Sequence, residues 1–245
     1  MHTNQVLLIN DGGETGYVTA QALIDTGATL LLIDRVNELP ATLQSQLNEG
    51  KFEMIHFDFY QIENIEATLK PIFAEGKIFD SLIYAAGIGG VRPLGMSTPN
   101  FVQQMMNANF FAFLEWVRVV CKKQRFAAGG SVVAISSVSS IRGLKSKIAY
   151  TASKAALDAS IKGLAAELAD RKIRVNSIQK GWVRADMQHG FIQDNMALNE
   201  NNDLAKQVLG IIESDEIASL VQYLISEVSK SITGTNILLD GGYTL

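Results

Sequence analysis

The sequence has little cysteine and no long apolar run. Cys121 is the only cysteine among 245 residues, so an intramolecular disulfide and a cluster of thiolate metal ligands are both excluded. No apolar run approaches the ~20 residues that a membrane-spanning helix needs. The chain also begins without a basic segment followed by a long apolar one, which is the pattern of a signal peptide. These features predict a cytoplasmic protein that does not cross a membrane.

The sequence also lacks a large excess of charge of either sign. The 21 basic and 25 acidic residues are interspersed and give a net charge of -4 at pH 7. Without a basic patch, neither nucleic acid nor an anionic membrane is a predicted partner. A small molecule is the predicted ligand, and no residue pattern indicates a metal site.

What the sequence does have is a regular alternation of short apolar runs and segments with helical spacing. The runs indicate buried parallel strands, and the other segments indicate helices. The predicted strands are 6–10, 29–33, 52–57, 81–85, 131–135, 174–178 and 236–239, and the predicted helices are 16–25, 62–73, 101–122, 151–170 and 215–226. This alternation predicts an α/β fold, a single Rossmann-type domain over residues 1–245. Its doubly wound parallel sheet would have about seven strands and helices on both faces, with ligands bound beyond the carboxyl ends of the strands.

Residues 188–203 fit neither pattern. They are rich in asparagine, glutamine and methionine and follow the sixth predicted strand. Such a segment indicates either a lid over the substrate or an ordinary surface connection. The sequence leaves these two alternatives open.

A glycine-rich turn follows the first predicted strand. Gly12, Gly13 and Gly16 would let the backbone approach a pyrophosphate at the start of the next helix. A tight strand-to-helix connection would give the same pattern, so the turn alone decides nothing. Asp11 and Glu14 place negative charge there, so either these side chains point away or they weaken dinucleotide binding.

An acidic residue ends the second predicted strand. Asp34 follows the glycine turn by about twenty residues, which is the spacing of a carboxylate that binds the adenosine ribose. A carboxylate repels a 2′-phosphate, so Asp34 favours NAD(H), whereas the adjacent Arg35 favours NADP(H). The alternative for Asp34 is a helix cap after a strand.

Tyr150 and Lys154 are four residues apart at the start of a predicted helix. Residues with this spacing share one helix face, so the ammonium group would lie beside the phenol. A positive charge there would lower the pKa of Tyr150 and make it a proton donor and acceptor. Ser137, at the end of the fifth predicted strand, could converge on the same carbonyl oxygen.

These residues resemble those of the classical short-chain dehydrogenase/reductases, most of all the 3-oxoacyl-carrier-protein reductase-like group. Ser137 lies thirteen residues before Tyr150, which begins the motif Tyr-Thr-Ala-Ser-Lys. The resemblance implies that Tyr150 is the general acid in reduction, that Ser137 binds the substrate oxygen and that Lys154 binds the nicotinamide ribose. It implies that Asn109 holds a water in the proton relay. Further implied cofactor contacts are Asp58, Ala85, Ala86, Gly87, Gly181 and Val183.

Simpler roles exist for two of these residues. Asn109 could tie a helix to the sheet, and Ser137 could cap the end of a strand. Each alternative explains its own residue but not their joint occurrence with Tyr150 and Lys154.

The resemblance fails at four places, all on the cofactor side. The first turn is one residue shorter and has Asn10-Asp11 in place of Thr-Gly, and Tyr84 starts a Tyr-Ala-Ala-Gly segment in place of Asn-Ala-Gly. Lys180 replaces a proline, and Ala185 replaces a threonine near the nicotinamide amide. One hypothesis is that Lys180 reaches a cofactor phosphate, and the alternative is a solvated surface lysine.

The sequence therefore predicts an NAD(P)(H)-dependent oxidoreductase that interconverts a ketone and a secondary alcohol. A 3-oxoacyl thioester, a sugar or a polyketide-type carbonyl are candidate substrates. The alternative is a degenerate family member that binds a partner without turnover.

Segment 101–122 carries more aromatic residues than one buried face requires. With the resemblance, this predicts a homo-oligomer, either a tetramer or a dimer, and the alternative is an unusually buried helix in a monomer.

Overall fold

Seven parallel strands form one sheet in the computed structural model, which describes residues 4–188 and 203–245. The strand order is β3-β2-β1-β4-β5-β6-β7. The strands are β1 Gln5–Ile9, β2 Thr29–Asp34, β3 Glu53–His56, β4 Phe79–Tyr84, β5 Phe126–Ser137, β6 Arg174–Lys180 and β7 Thr235–Leu239. The order reverses beside β1, which is where ligands bind in doubly wound sheets. The predicted fold class is confirmed.

Helices cover both faces of the sheet. In the described ranges they are α1 Glu14–Asp25, α2 Ala41–Asn48, α3 Ile65–Ala74, α4 Pro99–Met106, α5 Ala112–Val120, α6 Ile148–Leu168, α7 Arg184–Gln188 and α8 Ser214–Ile225. The sequence did not predict α2, which buries only Leu43 and therefore has little apolar periodicity. The single helix predicted at 101–122 is α4 and α5 joined by a π-helical turn at Asn107–Phe111.

The core lies in two apolar layers, one on each face of the sheet. In β1, Leu7 and Ile9 pack into one layer, whereas Val6 and Leu8 pack into the other. All four side chains are fully buried. Burial on both faces explains why this strand is a continuous apolar run with no polar alternation.

The strand ends bring the predicted site residues to one edge of the sheet. Ile9 pairs with Tyr84, and Tyr84 pairs with Ala134. Ser137 pairs with Lys180, so β5 and β6 extend three residues beyond β1 and β4 at the same edge. Apart from its two end residues, the predicted lid at 188–203 lies outside the described residues. Within the described ranges, no helix has the length and apolar character needed to span a bilayer.

Candidate active site

Ser137 and Tyr150 meet at the end of β5. Ser137 is its last residue, and its hydroxyl oxygen accepts a hydrogen bond from the Ser139 N–H at 3.1 Å. Tyr150 lies in the first turn of α6. Burial raises the pKa of Tyr150, the charge of Asp186 raises it further, and interaction with the Ser137 side chain lowers it. The phenol is therefore held in its protonated form near neutral pH.

Lys154 lies one turn further along α6 and is buried. Its ammonium group donates a hydrogen bond to the Ile135 carbonyl at 2.9 Å. Burial lowers the pKa of Lys154 to about 8, and the positive charge of Lys180 contributes to the decrease. The pKa of Tyr150 thus moves opposite to our expectation, because burial of the phenol is the largest contribution to it.

Asn109 lies in the π-helical turn and is fully buried. Its side-chain oxygen accepts from the Ile88 N–H at 2.8 Å. Its amide nitrogen donates to the Ile88 carbonyl at 3.0 Å and to the Ser153 hydroxyl at 2.9 Å. The side chain therefore ties the turn to α6 and to the segment after β4, rather than to the sheet itself as the simpler alternative states. Its role in a proton relay remains a prediction.

An open cleft of about 990 Å³ runs along this edge of the sheet. Of the predicted cofactor contacts, those that line it are Gly12, Gly13, Gly16, Arg35, Ala85, Gly87 and Lys154. Those that do not are Asp34, Asp58, Ala86, Gly181 and Val183. Tyr150 lies in the wall of the same cleft, so its side chain and the glycine turn border one space.

Four of these five exceptions are explained by packing or by local hydrogen bonds. Ala86 and Val183 are buried in opposite core layers, and Asp58 accepts a hydrogen bond from the Tyr60 N–H at 3.0 Å. Gly181 is needed for packing, because a Cβ there would lie 2.5 Å from a Gln207 side-chain oxygen. These positions lie next to the cleft but do not face it.

Asp34 is turned inward. It is fully buried, accepts from the Asn10 side-chain amide at 2.9 Å and accepts from the Val36 N–H at 3.1 Å. Asp34 does not cap a helix, because α2 begins only at Ala41 and its N-cap is Pro40, so the capping alternative is wrong. Its buried position does not support the preference for NAD(H) that was based on it. Arg35, in contrast, lines the cleft and donates to the Asp11 carbonyl at 3.3 Å.

The glycine turn keeps its acidic side chains bonded to protein groups. Asp11 accepts from the Gly87 N–H at 3.0 Å, and Glu14 accepts from the Ser214 hydroxyl at 3.2 Å. Burial raises the pKa of Asp11. Gly12 has φ +89°, and a Cβ on Gly16 would lie 2.1 Å from the Asn10 side-chain oxygen. This glycine-lined surface fits a dinucleotide, because its two acidic groups already have partners.

Lys180 and Asp186 form an ion pair in the same cleft. Lys180 stands out in the sequence, but Asp186, six residues further along the chain, does not. Lys147 and Trp182, which line a smaller pocket beside Tyr150, were also not predicted. The available signal for Lys147 was its position directly before the helix that carries Tyr150.

Comparison with known proteins places the chain in a family. The family model described as enoyl-(acyl carrier protein) reductase matches residues 15–244. The chain belongs to the classical short-chain dehydrogenase/reductases. Members of this family are NAD(P)(H)-dependent oxidoreductases, so the chain is an oxidoreductase, and the non-catalytic alternative has no support.

Named relatives cover nearly the full length of this short-chain dehydrogenase/reductase. It is 30% identical to D-erythrulose reductase of Gallus gallus, over 98% of this chain and 95% of the relative. It is 28% identical to cyclopentanol dehydrogenase of Comamonas testosteroni, over 98% and 97% of the two chains. A short-chain dehydrogenase/reductase from Serratia marcescens has the same fold, with a TM-score of 0.84, 20% identity, and coverage of 99% and 98%.

Proposed function

We propose that the protein reduces a small ketone, or oxidises the corresponding secondary alcohol, with NAD(P)(H) as redox partner. The observation that carries the proposal is that Tyr150 and Lys154 line the same cleft as the glycine turn, with the Ser137 side chain against the Tyr150 phenol. The names of two relatives, D-erythrulose reductase and cyclopentanol dehydrogenase, describe enzymes of small carbonyl or hydroxyl compounds.

The catalytic residues act on the substrate oxygen. The Ser137 and Tyr150 hydroxyl groups donate hydrogen bonds to the carbonyl oxygen, and Tyr150 gives it a proton as negative charge develops. The raised pKa of Tyr150 keeps this proton available in the reductive direction. In oxidation the phenol must first lose its proton, so alcohol oxidation should be favoured at higher pH.

Residues of the cleft would hold the dinucleotide. Gly12 and Gly13 would face its phosphates, Gly87 would allow its close approach, and Lys154 would bind ribose hydroxyl groups. When bound, NAD(P)(H) supplies or accepts the hydride. We further propose that Arg35 governs the choice between NADP(H) and NAD(H), because it lines the cleft whereas Asp34 does not.

We also propose that the protein forms a homo-oligomer through α5 and α6. Phe111 and Leu114 are 40% and 38% exposed, and Ile148 at the start of α6 is 54% exposed. Apolar side chains of this size are expected to be covered in a stable assembly. Light scattering that found only monomers would contradict this.

The function is tested with purified protein and a panel of small ketones, by following NADH or NADPH consumption. Tyr150→Phe should lower kcat about 1,000-fold, within the range for loss of a general acid. Tyr223→Phe is the matched control, because Tyr223 is exposed on α8 and lies outside the cleft. Equal turnover by wild type and Tyr150→Phe would contradict the proposal.

A further inference from the structure

Asp158 is a buried carboxylate on α6 that does not line the cleft. It lies four residues after Lys154, so the two side chains share one face of the helix. Asp158 is 4% exposed and Lys154 is 5% exposed. Burial of a carboxylate is costly unless hydrogen bonds or a cation stabilise it. The contacts of Asp158 show which of the two stabilises it.

Two neutral donors on β6 hold this carboxylate. The Ser177 hydroxyl donates to Asp158 Oδ1 at 2.7 Å, and the Gln179 side-chain amide donates to Oδ2 at 2.7 Å. Among the described residues, no lysine or arginine forms a salt bridge with Asp158. The two donors therefore satisfy the carboxylate oxygens without cancelling their negative charge.

The sheet brings this charge next to the ammonium group of Lys154. That group donates to the Ile135 carbonyl on β5. Ile135 pairs with Ile178 on β6, which lies between the two residues that hold Asp158. From adjacent turns of one helix, the two opposite charges thus reach neighbouring positions on neighbouring strands.

Other charged side chains also act on Lys154. Burial lowers its pKa most, and the positive charge of Lys180, at the end of β6, lowers it further. The negative charges of Asp158 on α6, Asp11 after β1 and Asp186 on α7 raise it, and Asp158 contributes most of the three. Asp186 is paired with Lys180, and burial raises the pKa of Asp11 and so disfavours its charge. Asp158 is therefore the main group that opposes the effect of burial on Lys154.

We propose that Asp158 is a positioning residue of the active site, whose negative charge keeps the Lys154 ammonium group charged and in place beside Tyr150. Charged Lys154 would bind ribose hydroxyl groups and stabilise negative charge on the Tyr150 oxygen after proton transfer. Reduction would then continue to a higher pH than it would without Asp158. This inference rests on the proposed function.

The first test measures the titration of Lys154 without turnover. Its acetylation rate with acetic anhydride is followed by mass spectrometry from pH 6 to pH 10, because only the unprotonated amine reacts. The wild-type midpoint should lie near the lowered pKa of about 8. Asp158→Asn should lower this midpoint by about one pH unit, as expected for loss of a nearby opposite charge. An unchanged midpoint would overturn the proposal.

This substitution removes the charge but can keep both contacts of the side chain. The new amide oxygen can accept from Gln179, and the new amide nitrogen can donate to the Ser177 oxygen. The Ser177 hydroxyl would then donate to Asn236 Oδ1, which lies 2.9 Å away. If Asp158→Asn nevertheless did not fold, Asp158→Ser would take its place, because it is also neutral and should give the same shift.

Three controls separate charge from shape. Asp170→Asn makes the same change at an exposed position just beyond α6 and should leave the midpoint of Lys154 unchanged. Lys162, exposed on α6, is acetylated in the same samples and should titrate alike in every variant. Asp158→Glu keeps the negative charge and should keep the midpoint near that of the wild type. A shift in Asp158→Glu as large as that in Asp158→Asn would mean that shape matters and not charge, and the proposal would be wrong.

Activity then connects this charge to the reaction. For ketone reduction by Asp158→Asn, kcat/KM should fall about fivefold at pH 8 and stay near the wild-type value at pH 6. The reason is that a midpoint one unit lower leaves about a tenth of Lys154 charged at pH 8 in place of about half. An equal loss at both pH values would indicate a merely structural role and would contradict the proposal. A shifted midpoint in a protein that turned over no ketone would contradict only the proposed function.

Discussion

The cleft has two halves, a catalytic half around Tyr150 and Lys154 and a nucleotide half around the glycine turn and Asp34. They differ in whether the side chains lie where their sequence spacing predicts. On the half that we propose to be catalytic, Tyr150 and Lys154 line the cleft, and the Ser137 side chain interacts with the Tyr150 phenol. On the nucleotide half, Asp34 turns away from the cleft into a bond with Asn10. The end of a strand and the face of a helix fix the positions of the side chains on the catalytic half. Local side-chain hydrogen bonds fix those on the nucleotide half. Sequence spacing therefore predicts side-chain positions better in helices and strands than in turns.

On the nucleotide half, polar groups at the edge of the cleft bond to other groups of the same chain. Asn10 holds Asp34, and Asp11 bonds the Gly87 N–H across the edge of the sheet. These bonds brace the turn and direct its acidic side chains towards protein groups. Variants of each half should therefore fail differently, with losses of rate on one side and of stability on the other.

The largest effect is expected on the catalytic half. Lys154→Met should lower kcat about 300-fold, because it removes the buried ammonium group beside Tyr150 while keeping most of the side-chain volume. The melting temperature should change by only a few degrees. Lys162→Met, an exposed position on the same helix, should leave both unchanged. If Lys154→Met kept full activity, the proposed difference between the halves, loss of rate on one and loss of stability on the other, would be wrong.

A change at Asp34 should act on stability. Asp34→Ala leaves the Asn10 amide and the Val36 N–H without their acceptor, which should cost about 1–3 kcal/mol in the free energy of unfolding. Urea denaturation measures this, with Asp25→Ala at an exposed helix end as control. NADH affinity in the folded variant should be unchanged. A selective loss of NADH affinity would instead show that Asp34 binds the ribose.

The same contrast explains which features of the fold and of the site could be predicted from the sequence. Alternating strands and helices and the Tyr150 to Lys154 spacing are periodic signals, and the sheet and the catalytic cluster follow from them. The inward turn of Asp34 could not be predicted, because it depends on where the Asn10 amide lies in three dimensions. The pKa direction of Tyr150 was missed because spacing reports a neighbouring charge but not the extent of burial.

Removal of the buried charge in the glycine turn should have a moderate effect. Burial raises the pKa of Asp11, so the folded protein binds a proton more tightly there than the unfolded chain, and stability falls as pH rises through the raised pKa. Asp11→Asn keeps an acceptor for the Gly87 N–H and should remove this decrease. It should also raise dinucleotide affinity about fivefold, corresponding to ~1 kcal/mol less repulsion.

Two measurements check this expectation. Urea denaturation of wild type and Asp11→Asn from pH 4 to pH 8 should give curves that diverge towards high pH, with the variant the more stable. Titration with NADH or NADPH should show the gain in affinity. A variant that is less stable at pH 8 would mean that the Asp11 carboxylate is a net stabilising group.

The smallest effect is expected at Arg35, which borders the open part of the cleft. Arg35→Ala should weaken NADPH binding about threefold, because an exposed ion pair with a 2′-phosphate contributes only ~0.2–1 kcal/mol. NADH lacks this phosphate and is therefore the matched control ligand, whose affinity should stay constant. Raising the salt concentration should reduce the NADPH effect in the wild type and leave the variant unchanged. Equal weakening of NADH and NADPH binding would instead indicate that Arg35 supports the turn through its bond to the Asp11 carbonyl. The role of Arg35 would then be structural, with no contact to the 2′-phosphate.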